Sequence, residues 1–197
     1  MPQRRVRFMR GSYYHLYNRG ANRMSIFRSD QDYHLLLQKL KMYCAELSLT
    51  LIAYCLLPNH YHWLVRQERD MPASLLPQKV FNSYAKLFNL ANNRTGTLFE
   101  GRYKAILVES DAYLLHLCRY IHANPVRHGI ASDVALWPYS NYLDWVGERQ
   151  GTLVDRSFIQ QHFPTPHQYQ VYIRALLSGV AQIPQNLDGY LQELESE

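Results

Sequence analysis

No apolar run in this chain approaches the roughly 20 residues needed to cross a bilayer. The basic opening, with Arg4, Arg5, Arg7 and Arg10, lacks the apolar stretch that would make it a secretory signal. Cysteine is scarce as well. Cys44 and Cys118 fall on the apolar stripes of expected helices and Cys55 in an expected strand, which argues against a disulfide framework and for reduced core residues. Acidic charge is thin except at the end. Asp188, Glu193, Glu195 and Glu197 crowd residues 185–197 without a Lys or Arg, so a formal net charge of +5 hides +9 on residues 1–184. Internal repeats and low-complexity segments are missing. What these absences leave is a cytoplasmic globular protein of 197 residues, one domain with an appendage.

What is present is a basic body carrying 16 tyrosines, a composition that suits nucleic acid, where cations meet phosphates and rings stack on bases. The organising stretch runs from Cys55 to Val65. Pro58-Asn59 is turn chemistry between two short apolar runs, Leu51 to Leu57 and Tyr61 to Val65, and predicts a strand hairpin. Side chains two apart on a strand share a face, so His60 and His62 project together while Tyr61, Trp63 and Val65 point into the packing. Paired imidazoles can chelate a metal ion or simply hydrogen bond at a surface. His-x-His alone does not choose between the two.

The rest of the chain supplies the context. Residues 1–12 read as a basic arm, and Tyr13 to Asn18 as a first strand. Ser29 with Asp32 is a capping-box signal for a helix burying Tyr33, Leu36, Leu37, Leu40, Tyr43, Cys44 and Leu47. After the hairpin, a second helix buries Leu76, Val80, Tyr84, Leu87, Phe88 and Ala91, and Arg102 to Glu109 alternates as a fourth strand. The order is β-α-β-β-α-β: an α+β, ferredoxin-like antiparallel sheet with both helices on one face and the histidines on the open one. A third helix from Asp111 is expected to stop at Asn124 because Pro125 follows. Its apolar stripe is Leu114, Leu117, Cys118 and Ile121; a polar stripe holds Tyr113, His116, Tyr120 and Asn124. Packed across the open face, this helix brings Tyr120 and Asn124 to His60 and His62. Ser157 to Phe163 and His167 to Leu177 read as further helices, so the chain divides into a domain of residues 1–144 and a helical C-terminal extension, 145–197, ending in the acidic tail.

Several blocks in one order carry a resemblance. They are Asn18-Arg19-Gly20 with Ile26-Phe27-Arg28, the Ala53-to-His62 segment, Leu98 to Val108, Arg119 to Arg127, and Trp137-Pro138-Tyr139-Ser140. Over residues 13–143 the chain resembles the REP-associated tyrosine transposases, relatives of the single-tyrosine HUH transposases of bacterial insertion sequences. That resemblance implies an enzyme that nicks single-stranded DNA at repetitive extragenic palindromic hairpins and rejoins it through a 5′-phosphotyrosine. It implies Tyr120 as nucleophile, His60 and His62 as ligands of Mg²⁺ or Mn²⁺, and Asn124 at the position where insertion-sequence relatives carry a glutamine ligand. It implies a bacterial, nucleoid-associated protein with no membrane partner, acting as a monomer, whereas insertion-sequence relatives work as dimers with exchanged helices and a dimer stays open.

The chemistry is consistent with those residue types. A phosphodiester repels a nucleophile until its charge is neutralised, which a cation on the non-bridging oxygens achieves. A phenol with an ordinary pKa of about 10 needs help to ionise, and His116, one turn before Tyr120, is a candidate base. DNA is expected to be held by Arg4, Arg5, Arg7, Arg10, Arg19, Arg23, Lys79, Lys86, Arg94, Arg102, Lys104 and Arg127, with Tyr14, Tyr17, Asn22 and Asn82 as candidates for reading bases. The alternatives are a non-catalytic ferredoxin-like module gripping single strands, which the absence of the RNA-recognition signature disfavours, and a rolling-circle replication initiator.

Overall fold

The computed structural model describes residues 6–181; Arg4, Arg5 and the acidic stretch of 185–197 lie outside it. Four strands, β1 (Tyr13–Arg19), β2 (Leu49–Leu57), β3 (His60–Gln67) and β4 (Lys104–Val108), form one sheet in the order β2-β3-β1-β4. Every neighbouring pair is antiparallel. The helices α1 (Asp30–Glu46) and α2 (Leu75–Ala91) connect the strands as the split β-α-β arrangement requires. The fold is α+β and ferredoxin-like.

Alternation along the strands separates two cores. Tyr14, Leu16, Tyr54, Leu56, Tyr61, Trp63 and Val65 face α1 and α2, and the Trp63 ring stacks flat on Phe81 at 5.2 Å. The capping box at Ser29 and Asp32 starts α1 as expected. On α2 the buried stripe includes Phe81, while Leu87 and Ala91 are exposed. The expected Leu76, Val80, Tyr84 and Phe88 are buried along the whole helix, and only the flanking Leu87 and Ala91 fall on its solvent side. Tyr14 is a core residue, its hydroxyl donating to Arg7 O at 3.0 Å, and cannot read a base.

The other face carries Ala53, Cys55, Leu57 and Leu64 and is covered by α3 (Asp111–Arg127), whose Leu114, Leu117, Cys118 and Ile121 are buried there. A bulge between Leu51 and Ala53 shifts the register of β2, so residues after it keep the parity that matches His60 and His62. The helix runs on through Pro125, three residues beyond the stop expected from that proline. Proline cannot donate to the carbonyl of Ile121. The Asn124 side chain substitutes: its Nδ2 donates to Tyr120 O at 2.9 Å and reaches Ile121 O at 3.5 Å.

Beyond α3, residues 137–141 lie along the free edge of β2, with Leu56 N donating to Tyr139 O at 2.9 Å and Trp137 Nε1 to Leu56 O at 3.0 Å. The edge is closed by that strap. Three more helices follow, α4 (Tyr142–Trp145), α5 (Arg156–His162) and α6 (Pro166–Leu177). Trp145, Phe158, Tyr169 and Ile173 pack into the same core as α3, so the helical extension expected from residue 145 backs the helix that carries Tyr120. At its centre His122 is buried, its Nδ1 2.6 Å from the Tyr169 hydroxyl and its Nε2 2.8 Å from Asn141 Oδ1. Among the described residues no helix is long and apolar enough to cross a membrane.

Candidate functional site

The β2-β3 turn fixes where β3 begins, and hence where the histidines stand. Pro58 O accepts from Ile26 N at 2.8 Å, and Asn59 O from Gly20 N at 2.7 Å. Gly20 has no room for a side chain, since a Cβ there would meet Met24 O at 2.1 Å. This close approach holds Arg19 opposite His60 in the β1-β3 register. The same register places Tyr17 opposite His62, on the face toward α3.

A cavity of about 460 Å³ opens at this end of the sheet, lined by His60, His62, Tyr17, Tyr120, Arg19 and His128 among others. The rings of His60 and His62 stand 5.2 Å apart and nearly perpendicular. Tyr120 reaches the cavity from α3, its ring 6.0 Å from that of His62 and edge-on to it. The guanidinium of Arg127 lies 4.9 Å over the Tyr120 ring. A second tyrosine, Tyr17, is equally near: 6.0 Å from His62, and stacked on His15 at 4.7 Å. The spatial expectation that a helix phenol and two strand imidazoles share one face is met, with Tyr17 as a neighbour.

The electrostatics favour neutral imidazoles. Burial first, then His128 and Arg19, hold the His60 imidazolium down at about 3. Burial, with His15, His60 and His128 adding to it, keeps His62 well below the ordinary histidine range. His15 is pushed down to about 3 by burial. Neutral rings at physiological pH have lone pairs to give. His60 Nδ1 donates to Asn59 Oδ1 at 2.7 Å, which leaves the lone pair on Nε2. His62 Nδ1 and His15 Nε2 are 3.0 Å apart; with His62 donating, its Nε2 is the ligating nitrogen too.

Whether these groups fit a divalent cation can be judged from Asn124. It is fully buried one turn after Tyr120, its Nδ2 is spent on the backbone, and its Oδ1 has no hydrogen-bond partner. A buried carbonyl oxygen without a partner is a group that a cation or a donor could satisfy. Among the described residues no three His, Cys, Asp or Glu side chains are already set around one point. His60 and His62 line the cavity and Asn124 does not; two neutral imidazoles beside it are a donor pair that Mn²⁺, or Mg²⁺ with oxygen ligands, can accept.

His116 does not fit the role of base. Its Nδ1 accepts from Arg119 Nη2 at 2.7 Å, so the ring proton sits on the buried, unpartnered Nε2. Burial, Arg119 and Arg127 lower it to about 4, leaving a weak base with no free lone pair. The expected cations divide by place. Arg19, Arg23, Arg102 and Lys104 line the cavity and Arg127 covers Tyr120. Lys79 pairs with Glu46, Lys86 is exposed on α2, and Arg94 lies 5.7 Å over Phe88, all on the layer behind the opposite face. Asn82 is exposed on α2 as well. Arg7 and Arg10 precede Gly11, which bonds Gln67 at the end of β3 away from His60, roughly 20 Å off by strand rise.

Four residues at the site went unread in the sequence: His15, Asn59, Glu100 and His128. His15 shares strand parity with Tyr17, yet only the register joins it to His62. Glu100 holds Arg19 through contacts of 3.1 and 2.8 Å to one oxygen. His128 continues the spacing of His116, Tyr120 and Asn124, and was hidden by ending the helix at Pro125.

A split β-α-β sheet with paired histidines on its central strand and a tyrosine helix across them is the layout of a transposase. More particularly, the family described as Transposase IS200 like matches residues 9–124, and the chain belongs to that family. A Haemophilus influenzae protein named as a REP-associated tyrosine transposase is 26% identical over 112 residues, spanning 52% of this chain. The chain spans 64% of that curated relative's length. Among solved structures, a REP-associated tyrosine transposase bound to a REP hairpin superposes with a TM-score of 0.63 at 22% identity, over 80% of this chain and 96% of that one. This last likeness is one of fold.

Proposed function

We propose that the protein is a metal-dependent single-stranded DNA nickase and strand transferase acting on palindromic hairpins, with Tyr120 as its nucleophile. The observation that carries this reading is the approach of the Tyr120 ring to within 6.0 Å of His62 beside one cavity, from a different element of the same chain. His60 and His62 would hold the cation. Bound there, Mg²⁺ or Mn²⁺ would neutralise the non-bridging oxygens of the scissile phosphate.

The chain's own groups account for the rest. Arg19, Arg23, Arg102 and Lys104 surround the cavity and suit a phosphate backbone, which they position without reading its sequence. Arg127, over the Tyr120 ring, favours the phenolate that must attack. The Tyr120 oxygen forms a bond to phosphorus as its proton passes to solvent, the bond to the 3′-oxygen breaks, and that oxygen takes up a proton from water to leave as a 3′-hydroxyl. The 5′-phosphotyrosine conserves the bond energy, so an incoming 3′-hydroxyl can reverse the step and complete strand transfer. One chain supplies every group, which suits a monomer acting in cis. The hairpin partner is suggested by the bound DNA of the fold relative. Work on chromosomal DNA would place the protein in the bacterial cytoplasm.

The test is cleavage of a single-stranded hairpin oligonucleotide with Mn²⁺ or Mg²⁺. His60→Ala is expected to abolish cleavage while hairpin binding changes less than about threefold. Cleavage that survives in EDTA would refute the metal's part. Cleavage of an origin hairpin in preference to the palindromic repeat would instead favour a replication initiator.

A further inference from the structure

Asn59 stands at the β2-β3 turn with its side chain between two elements. Its Nδ2 donates to Arg23 O at 3.2 Å, and its Oδ1 lies 2.7 Å from His60 Nδ1. Its main-chain oxygen accepts from Gly20 N at 2.7 Å, so backbone also ties the turn to the loop after β1. Arg23, Asn59 and His60 all line the cavity.

The sequence of these contacts fixes a proton. A main-chain carbonyl only accepts, so the end of the Asn59 amide that meets Arg23 O is the NH₂. The end toward His60 is then the oxygen, which also only accepts. His60 Nδ1 therefore carries the ring proton, and Nε2 keeps the lone pair. Without such a contact a neutral imidazole in water favours the proton on Nε2, where it would block the lone pair that a cation needs. The Arg23 carbonyl reaches Asn59 from an unusual backbone, since Asn22 and Arg23 are both left-handed, with φ of 55° and 57°. Two successive non-glycine residues in that region are uncommon. The loop is closed around them by Arg23 N donating to Gly20 O at 3.0 Å and Met24 N to Ala21 O at 3.1 Å.

We propose that Asn59 is a positioning residue: with its amide oriented by the Arg23 carbonyl, it holds the His60 proton on Nδ1 and leaves Nε2 as the donor nitrogen. The loop that brings Arg23 to the cavity thereby also sets the electronic state of the first histidine of the pair. The meaning of this for catalysis rests on the reading of His60 as a cation ligand; the position of the proton does not.

The experiment is ¹⁵N NMR of the metal-free full chain, at a pH above the ordinary histidine value of about 6.5, which reads the proton on each ring nitrogen. His60 is assigned by the signals missing in His60→Ala. In wild type its proton is expected on Nδ1. Asn59→Ala should move most of it to Nε2 and raise the Kd for Mn²⁺ about 10–100-fold. Asn59→Asp loses the donor to Arg23 O but keeps an acceptor for Nδ1, so it should keep the Nδ1 proton and bind Mn²⁺ no more weakly than wild type. A part in folding alone would weaken both variants alike and leave the proton in place. A wild-type ring protonated on Nε2, or an Asn59→Ala ring still protonated on Nδ1, overturns the role of Asn59. Mn²⁺ binding undiminished in His60→Ala overturns the metal reading instead, while a proton shift in Asn59→Ala would still support Asn59 as the group that sets the ring.

Discussion

The two faces of the sheet are built from alternate residues of the same strands and have opposite characters. Toward α1 and α2 the strands present Leu16, Tyr61, Trp63 and Val65, and the packing is aromatic and aliphatic. Toward α3 they present His15, Tyr17, His60 and His62, and the buried groups opposite include Tyr120, His122 and Asn124. One face holds the fold together by removing apolar surface from water. The other buries imidazoles and amides whose unpaired atoms cost free energy unless something satisfies them. Asn124 Oδ1 is such an atom on the second face and Trp63 Nε1 one on the first, so what separates the faces is the cluster of neutral imidazoles around a cavity.

Breaking the second face should abolish activity and spare the fold. Tyr120→Phe retains the buried ring, so hairpin binding and melting should stay near wild type. Formation of a DNA adduct resistant to denaturing gels should fall by about 10³-fold or more. Breaking the first face should do the reverse. Trp63→Ala opens a large void against Phe81 and should cost about 3–5 kcal/mol in urea unfolding, with any folded fraction still able to form adduct.

Acid sharpens the contrast, because the buried histidines lie on the second face. His122 is held at about 4 in the folded protein, chiefly by burial, against an ordinary 6.5. Below 6.5 the unfolded chain takes up a proton that the folded one refuses. Stability from this group is therefore complete above pH 6.5 and is lost as pH falls toward 4, at up to about 1.4 kcal/mol per pH unit. His122→Gln should remove roughly 2 kcal/mol of the loss that metal-free protein suffers between pH 6.5 and 5, seen as a flatter curve of denaturation midpoint against pH. The smallest effect belongs to the outside of the first layer. Leu87 is exposed on α2, so Leu87→Ser should change unfolding by no more than about 0.5 kcal/mol.

The sequence carried the first face almost whole, because apolar period and capping signals are local. The Ser29–Asp32 box, the Pro58-Asn59 turn and the alternation of Tyr61, Trp63 and Val65 each need only a few neighbouring residues. The strand faces, and so the side on which His60 and His62 stand, followed from parity. What remained hidden was non-local or cooperative. His15 meets His62 through a strand register that no short window encodes. His128 joins the site because the helix runs on through Pro125 to Arg127, which the proline rule did not foresee. The α2 stripe misplaced Leu87 and Ala91 because an apolar residue at helical spacing can stand just outside the buried stripe, here Leu76, Val80, Tyr84 and Phe88. Cations were the least legible: Lys79 and Arg102 look alike in sequence, and only the fold puts one behind the helices and the other at the cavity.

Tyr17 and Tyr120 lie equally close to His62, so the choice of nucleophile is where the account is most exposed. Peptide mass mapping after incubation with a single-stranded hairpin and Mn²⁺ decides it. The account predicts one nucleotide-bearing peptide, the one containing Tyr120, which disappears in EDTA. A DNA adduct on the Tyr17 peptide, or on Tyr120 regardless of metal, would contradict it.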